Sequence, residues 1–281
     1  MSRSPSTVAT GGTRAAPCAR LARGDVRASS DPRTHPVRPA LRRSRGRRPP
    51  TRWRSASDDA ASLVPPLELE ALADASSLET VDPTVDHVDK AACVWYVPSF
   101  LDADTEAAVA KCCEKLRAKK KMKPDKSFAL GRRAAMVPVV SDAYAVFSGA
   151  RVSEQLRSLT DCGKHLRCGD FPIEARLYLP GAQMAWHRDV RLYETPQLEL
   201  IFTVANDGDG KTQWVGSDGA VRSIRPEPNS VLLFAADGAW HRVVPATKGE
   251  RTIVKALYCP DGNTAKTPAF GECLENAPWR R

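Results

Sequence analysis

Two rhythms of apolar and polar residues divide the chain. "ACVWYVPSF" (residues 91–100 begin with Ala91-Ala92) alternates as a half-buried strand does. "LDADTEAAVAKCCEKLRAKKK" follows with apolar positions at helical spacing, acids early and lysines late, and Asp102 or Asp104 able to cap its first turn. The pattern predicts a second helix over "SDAYAVFSGARVSEQLRSL". From Phe171 onward the period shortens. About eight apolar runs are separated by Gly, Asn, Asp and Pro: "FPIEARLYLPG", "QMAWHRDV", "QLELIFTVANDGDG", "KTQWVGSDG", "AVRSIRPEPN", "SVLLFAADG", "AWHRVVPATKG" and "ERTIVKALYCPDG". Even spacing of this kind predicts a sandwich or barrel, and helices ahead of it make an α+β domain in which they brace one sheet.

Ahead of this domain the texture differs. Residues 1–56 hold fourteen Arg, two Asp and no Lys, a charge of +12, so against the total of +9 the remaining chain carries −3. The high net charge therefore belongs to the leading segment, and no basic groove is implied for the folded part. The segment has too little apolar surface to order itself and lacks the apolar stretch of a secretory signal. Its Arg/Ser-rich, acid-poor composition fits a transit peptide for a chloroplast or mitochondrion; a basic tail on a cytoplasmic protein is the other reading. Residues 57–90, acidic and dotted with Pro, read as a linker. The domain is expected over 91–262, with a tail at 263–281.

Eight scattered Cys with no C-x-x-C suggest reduced thiols rather than a disulfide framework. No run approaches the eighteen apolar residues of a membrane span. "ANDGDGKT" imitates a phosphate loop, but a strand-like "QWVGSDG" follows where a helix would be needed, so it reads as a hairpin.

The chemistry lies in "EARLYLPGAQMAWHRD". On a strand, residues i and i+2 share a face, so His187 and Asp189 present an imidazole and a carboxylate side by side while Arg188 points away. These are two corners of a 2-His-1-carboxylate triad, the arrangement that leaves positions open on Fe(II). A third ligand must come from another strand. Of the five histidines, His35, His87 and His165 fall in tail, linker and loop, which leaves His241 in "AWHRVVPATKGERTIV". Arg251, ten residues further on, can make a bidentate contact with a carboxylate.

Together, "ARLYLPG…HRD", "GKTQW", "IRPEPNSVLLF" and "WHRVVPATKGER" resemble the Fe(II)/2-oxoglutarate-dependent dioxygenases, in the prolyl-4-hydroxylase-like branch, over roughly residues 94–258. His241, Val243, Pro245, Gly249 and Arg251 fit the family's late motif, with Ala246 where Val is usual. The resemblance implies a double-stranded β-helix (jelly-roll, cupin-like) core with Fe(II) at His187, Asp189 and His241. It also implies 2-oxoglutarate held by Arg251, Tyr178 and the pocket residue Thr212, with Trp214 nearby. The family's Gly-Gly-Glu-Thr run is replaced here by Gly208-Asp209-Gly210-Lys211-Thr212, which alters the hairpin near the substrate mouth. The implied reaction consumes O2 and 2-oxoglutarate, hydroxylates a substrate C–H bond, and releases succinate and CO2; ascorbate is an optional accessory. A peptidyl-proline or a free small molecule are the substrates left open. Asp189 argues against a halogenase. The near-neutral domain, and Lys255 in "RTIVKALY" where a second late Arg is missing, argue against an AlkB-like nucleic-acid demethylase. A non-catalytic β-helix protein is the reading from another class.

Overall fold

The structure is a computed structural model that describes residues 69, 71, 78–125, 129–162 and 165–280. The Arg-rich segment 1–56, with His35, lies outside the described residues, as does most of 57–77. In chain order the elements are strands β1 (Glu79–Thr80), β2 (His87–Asp89) and β3 (Val94–Val97), helix α1 (Ala103–Ala118), and strands β4 (Lys123–Pro124) and β5 (Leu130–Met136). Helices α2 (Asp142–Ser148) and α3 (Ala150–Thr160) come next, then strands β6 (Arg167–Cys168), β7 (Glu174–His187), β8 (Leu198–Asn206), β9 (Lys211–Val215), β10 (Val221–Ile224), β11 (Ser230–Ala235), β12 (His241–Val244) and β13 (Arg251–Cys259). Helix α4 (Pro268–Glu275) and a 3-10 turn at Pro278–Arg280 follow. No described helix is long and apolar enough to cross a membrane.

The strands join in the order β1-β10-β9-β12-β7-β13-β8-β11-β3-β2, with β5 added alongside β7 and β6 alongside β13. Strand β7 is the hinge of this arrangement. Its first half pairs with β13, Arg251 opposite Tyr178 and Lys255 opposite Glu174. Its second half pairs with β12, Val243 opposite Met184 and His241 opposite His187. One layer is therefore β5-β7-β13-β8-β11-β3-β2, the other β7-β12-β9-β10-β1, and the sheet curls into a double-stranded β-helix. The sequence predicts two strands separated by a Pro180-Gly181 turn; one bent strand of 14 residues is found. Pro180 has no N–H to lose, Gly181 takes φ +78°, and its N–H donates to the Ala246 carbonyl at 2.7 Å, so pairing continues through the bend.

Alternation along each strand sorts the core. On β8, Leu198, Leu200 and Phe202 face the helices and pack with Val109, Leu116, Phe147 and Leu156. The Phe147 and Phe202 rings sit 5.5 Å apart. Glu199 and Ile201, between them, face the interior of the β-helix. Asp102 caps α1, accepting from Thr105 N–H at 2.9 Å, as its position before the acidic first turn predicts. The single helix expected over residues 141–159 is instead two. Gly149 is extended (φ −77°, ψ 162°) and breaks the run, and Ser141 caps α2 by accepting from Tyr144 N–H at 3.2 Å.

Two further differences from the sequence reading concern the flanks. Within the 57–90 stretch expected as linker, β1 pairs in parallel with β10 and β2 pairs with β3. Few apolar residues are needed for such edge strands, because backbone hydrogen bonds to an existing sheet supply the contact. In the 263–281 tail, Phe270 of α4 is buried against Phe171 and Tyr193. Since Phe202 is fully buried between sheet and helices, Phe202→Ala should destabilise the domain by about 3–5 kcal/mol, read as a shift in the midpoint of denaturant unfolding.

Candidate metal centre

Register alone brings the two histidines together. His187 closes β7, His241 opens β12, and they are direct cross-strand partners with ring centroids 4.2 Å apart. Phe234 of β11 stacks on His241 at 4.3 Å and fixes its ring plane. In each histidine Nδ1 faces the carbonyl two residues earlier, Ala185 O at 2.8 Å for His187 and Ala239 O at 3.1 Å for His241. Only a protonated Nδ1 satisfies a carbonyl, which leaves Nε2 as the lone-pair nitrogen on both rings. Asp189 sits two residues past His187, its backbone anchored by the Asp237 N–H at 3.0 Å. One ligand atom from each of His187, Asp189 and His241 lies within 4.8 Å of the others.

The electrostatics ask for a cation there. Asp189 Oδ2 is buried without a hydrogen-bond partner and lies 3.3 Å from His241 Nε2. With Nδ1 already protonated, two acceptors face each other unless a proton or metal ion stands between them. Burial and the neighbouring His241 push His187 down to about 4, so it is neutral at ordinary pH and able to ligate. Burial works against charge on His241, but Asp189 outweighs it and raises its pKa. The donor set of two imidazoles and one carboxylate fits Fe(II) with positions left open.

A cavity of about 320 Å³ opens beside the triad. The inward residues of β7, β13 and β8 line it: Tyr178, Arg176, Glu174, Arg251, Lys255 and Glu199. Arg251 is 4 % exposed, and burial lowers its pKa to about 10. One guanidinium nitrogen donates to Thr212 Oγ1 at 2.8 Å, while Nε has no partner. No carboxylate partner is found for it among the described residues. The cations that β5, β7 and β13 turn into the cavity are paired, while Arg188, also in its lining, lies over the Trp240 ring. Arg132 Nε donates to Asp125 at 2.9 Å, Arg176 Nε to Glu174 at 2.6 Å, and Lys255 pairs with Glu199. Arg132 also reaches the Tyr178 hydroxyl at 3.3 Å and Met184 Sδ at 3.0 Å. Burial opposes the phenolate, but Arg132 and Arg176 prevail and draw the Tyr178 hydroxyl below its usual pKa.

The structure thus gathers His187, Asp189, His241, Arg251, Tyr178 and Thr212 around one cavity. Trp214, two residues from Thr212, is fully buried in the core with Tyr96 and Phe234 instead. Gly249 (φ +70°) lies in the β12–β13 turn that delivers Arg251; a Cβ there would stand 2.4 Å from Gly208 Cα, so two glycines meet back to back. Sequence reasoning missed Arg132, Glu199 and the role of Lys255. A signal existed for two of them: Lys255 shares Arg251's strand parity, and Glu199 is a charge in the otherwise apolar "LELIF".

No family model matches the chain, and no curated protein is similar to it in sequence. Among solved structures, the non-heme α-ketoglutarate-dependent epimerase SnoN, solved in complex with Fe3+, α-ketoglutarate and nogalamycin RO, aligns with TM-score 0.54 and 15% identity, covering 66% of this chain and 86% of that one. The chain has the fold of this epimerase. A second structure of SnoN, from nogalamycin biosynthesis, aligns with TM-score 0.50 and 15% identity over 59% of this chain and 76% of that one. A prolyl-4-hydroxylase from Pseudomonas putida aligns with TM-score 0.49 and 22% identity over 59% of this chain and 91% of that one.

A divalent ion should bind this site with one-to-one stoichiometry, and His241→Ala or Asp189→Ala should abolish it with unfolding midpoints little changed. Because Asp189 raises the pKa of His241, a proton competes for Nε2 before the ordinary histidine range is reached. Metal affinity should therefore fall as pH is lowered from about 8 to about 6, measured by calorimetric titration with Co(II).

Proposed function

We propose that the chain is an Fe(II)- and 2-oxoglutarate-dependent dioxygenase that hydroxylates a substrate C–H bond, releasing succinate and CO2. The observation that carries this reading is Arg251: a buried guanidinium with no carboxylate partner among the described residues, in the same cavity as a His-Asp-His group. A buried unpaired cation is costly, and a dicarboxylate co-substrate supplies its missing partner. In this reading His187, Asp189 and His241 hold Fe(II), which supplies the oxidising chemistry when bound. Arg251 takes the distal carboxylate in a bidentate contact, Thr212 fixes the guanidinium, and Tyr178, held by Arg132, offers one hydroxyl. The apolar side chains Ile253, Ile201 and Val243 keep water from the space between. Ascorbate is an accessory in this proposal.

For the substrate, the resemblance favours a peptidyl-proline, while the ion pairs in the cavity wall offer hydrogen-bond partners to a small molecule with polar groups. Glu174, Arg176, Glu199 and Lys255 line it as ion pairs, and Cys273, Ala277 and Pro278 of the C-terminal segment add to the lining. Apolar side chains, among them Phe171, Trp186, Leu192 and Ile201, share the lining with those charges, so a ring with apolar faces and a polar edge also fits. Succinate formation from 2-oxoglutarate with Fe(II), measured with proline-containing peptides and with small polar compounds, separates the two; no turnover with or without substrate overturns the enzymatic reading.

Arg251→Ala should weaken 2-oxoglutarate binding to the Fe(II) protein at least tenfold, as expected when a charge-assisted contact worth about 1.5–3 kcal/mol is removed. Metal binding should change little. Arg251→Lys should recover part, because a point charge replaces a fork, and Tyr178→Phe should lose less than Arg251→Ala. The metal-to-ligand charge-transfer band under anaerobic conditions reads all three.

A further inference from the structure

Asp189 is not alone on its inner side. Its Oδ2 faces His241 Nε2, while Oδ1 lies 3.7 Å from the ammonium of Lys255. Lys255 comes from β13, four residues past Arg251 and on the same face. Its ammonium is shared with Glu199 of β8, which stands diagonally across the sheet (Lys255 pairs with Ile201, Glu199 with Leu257) and is 2 % exposed. Glu199 is itself held: Gln197 Nε2 donates to its Oε1 at 3.2 Å. Gln197, fully buried, also donates to Val190 O at 2.9 Å and accepts from Leu192 N–H at 3.0 Å. Thus one side chain clamps the loop that follows Asp189 and orients the carboxylate that holds Lys255. The chain Gln197, Glu199, Lys255, Asp189 runs through buried space from the loop to the triad.

We propose that Lys255 and Glu199 form a positioning pair that keeps Asp189 a one-oxygen ligand. This inference rests on the reading of His187, Asp189 and His241 as a metal site. The ammonium, 3.7 Å from Oδ1, draws that oxygen electrostatically, which would leave Oδ2 as the oxygen that faces a bound ion and keep room beside it for the co-substrate. Glu199 sets the balance. It draws the ammonium away from Asp189 far enough that Oδ2 keeps its donor strength, and Lys255 in turn keeps the Glu199 carboxylate from turning to the ion. Neither residue touches the reacting atoms; each acts through Asp189.

The pair makes opposite predictions for its two members, which loss of structure alone does not. Lys255→Met removes a positive charge beside the ion and frees Oδ1. Mn(II) affinity should hold or rise, while 2-oxoglutarate affinity for the Mn(II) protein falls about tenfold or more, because the carboxylate spreads over the open position. Lys255→Arg should restore co-substrate binding in large part. Glu199→Gln is close in shape and leaves the ammonium with Asp189 alone. Mn(II) affinity should then fall about tenfold, a change of ~1.4 kcal/mol. Mn(II) binding is read by electron paramagnetic resonance of the free ion, and co-substrate binding by calorimetric titration into the Mn(II)-saturated protein. If both variants bind Mn(II) and 2-oxoglutarate as the unaltered protein does, or if both weaken Mn(II) together, the positioning pair is overturned. If the unaltered protein binds no Mn(II), the metal-site reading fails and this inference fails with it. Should Lys255→Met not fold, the Glu199→Gln result decides.

Discussion

The pairing of His241 with His187 is the contact on which the rest of the site depends. It is a backbone event before it is a chemical one. β7 is long enough to serve both layers of the β-helix, and its bend at Pro180-Gly181 carries it from β13 to β12. Because side chains alternate along a strand, that one register puts both imidazoles on the inner face. A slip of one residue would turn Trp186 or Arg188 inward in place of His187. On the outer face the same register pairs Trp186 with Arg242 at 4.9 Å and Arg188 with Trp240 at 5.5 Å, two cation–π contacts across the strands that carry the histidines. They add a local reason for the register to hold.

The other layer supplies the rest by the same logic. Arg251 stands opposite Tyr178, and Thr252, Val254 and Ala256 turn outward while Arg251, Ile253 and Lys255 turn inward. A helical layer over the outward face accepts Val254 and Ala256 into the main core. The inward face needs no such cover, because the second layer closes over it. Burial on both sides is what allows a strand as apolar as "RTIVKALYC" to carry two cations without exposing either.

How much of this was legible in the sequence follows from the range of the interactions. That His187, Asp189, His241 and Arg251 meet around one cavity was legible because their spacing is short-range, two residues for His187 and Asp189, a turn for His241 and Arg251; Tyr178 and Thr212 were placed there by the resemblance alone. The strands were legible for the same reason, since alternation is local. What failed was also local in appearance and non-local in cause. A Pro-Gly pair reads as a turn, yet Ala246, sixty-five residues away in sequence from Gly181, keeps that backbone paired. Gly149 reads as tolerable within a helix until α2 and α3 must each fit the sheet. β1 and β2 have no apolar signature because their partners, β10 and β3, supply the sheet. Glu199 and Lys255 were visible as charges out of place, but only the adjacency of β8 and β13 reveals that they face one another.

Those charges bear on what the cavity is for. Buried ion pairs are poor sources of stability, since the cost of drying two ions rivals their attraction, and apolar residues of similar size often serve a fold better. Arg132 with Asp125, Arg176 with Glu174 and Lys255 with Glu199 therefore make little sense as devices for holding the β-helix together. They make sense as fixed charges around a ligand space. Arg251 differs from them, having no carboxylate partner among the described residues, and Lys255 is drawn to both Glu199 and Asp189.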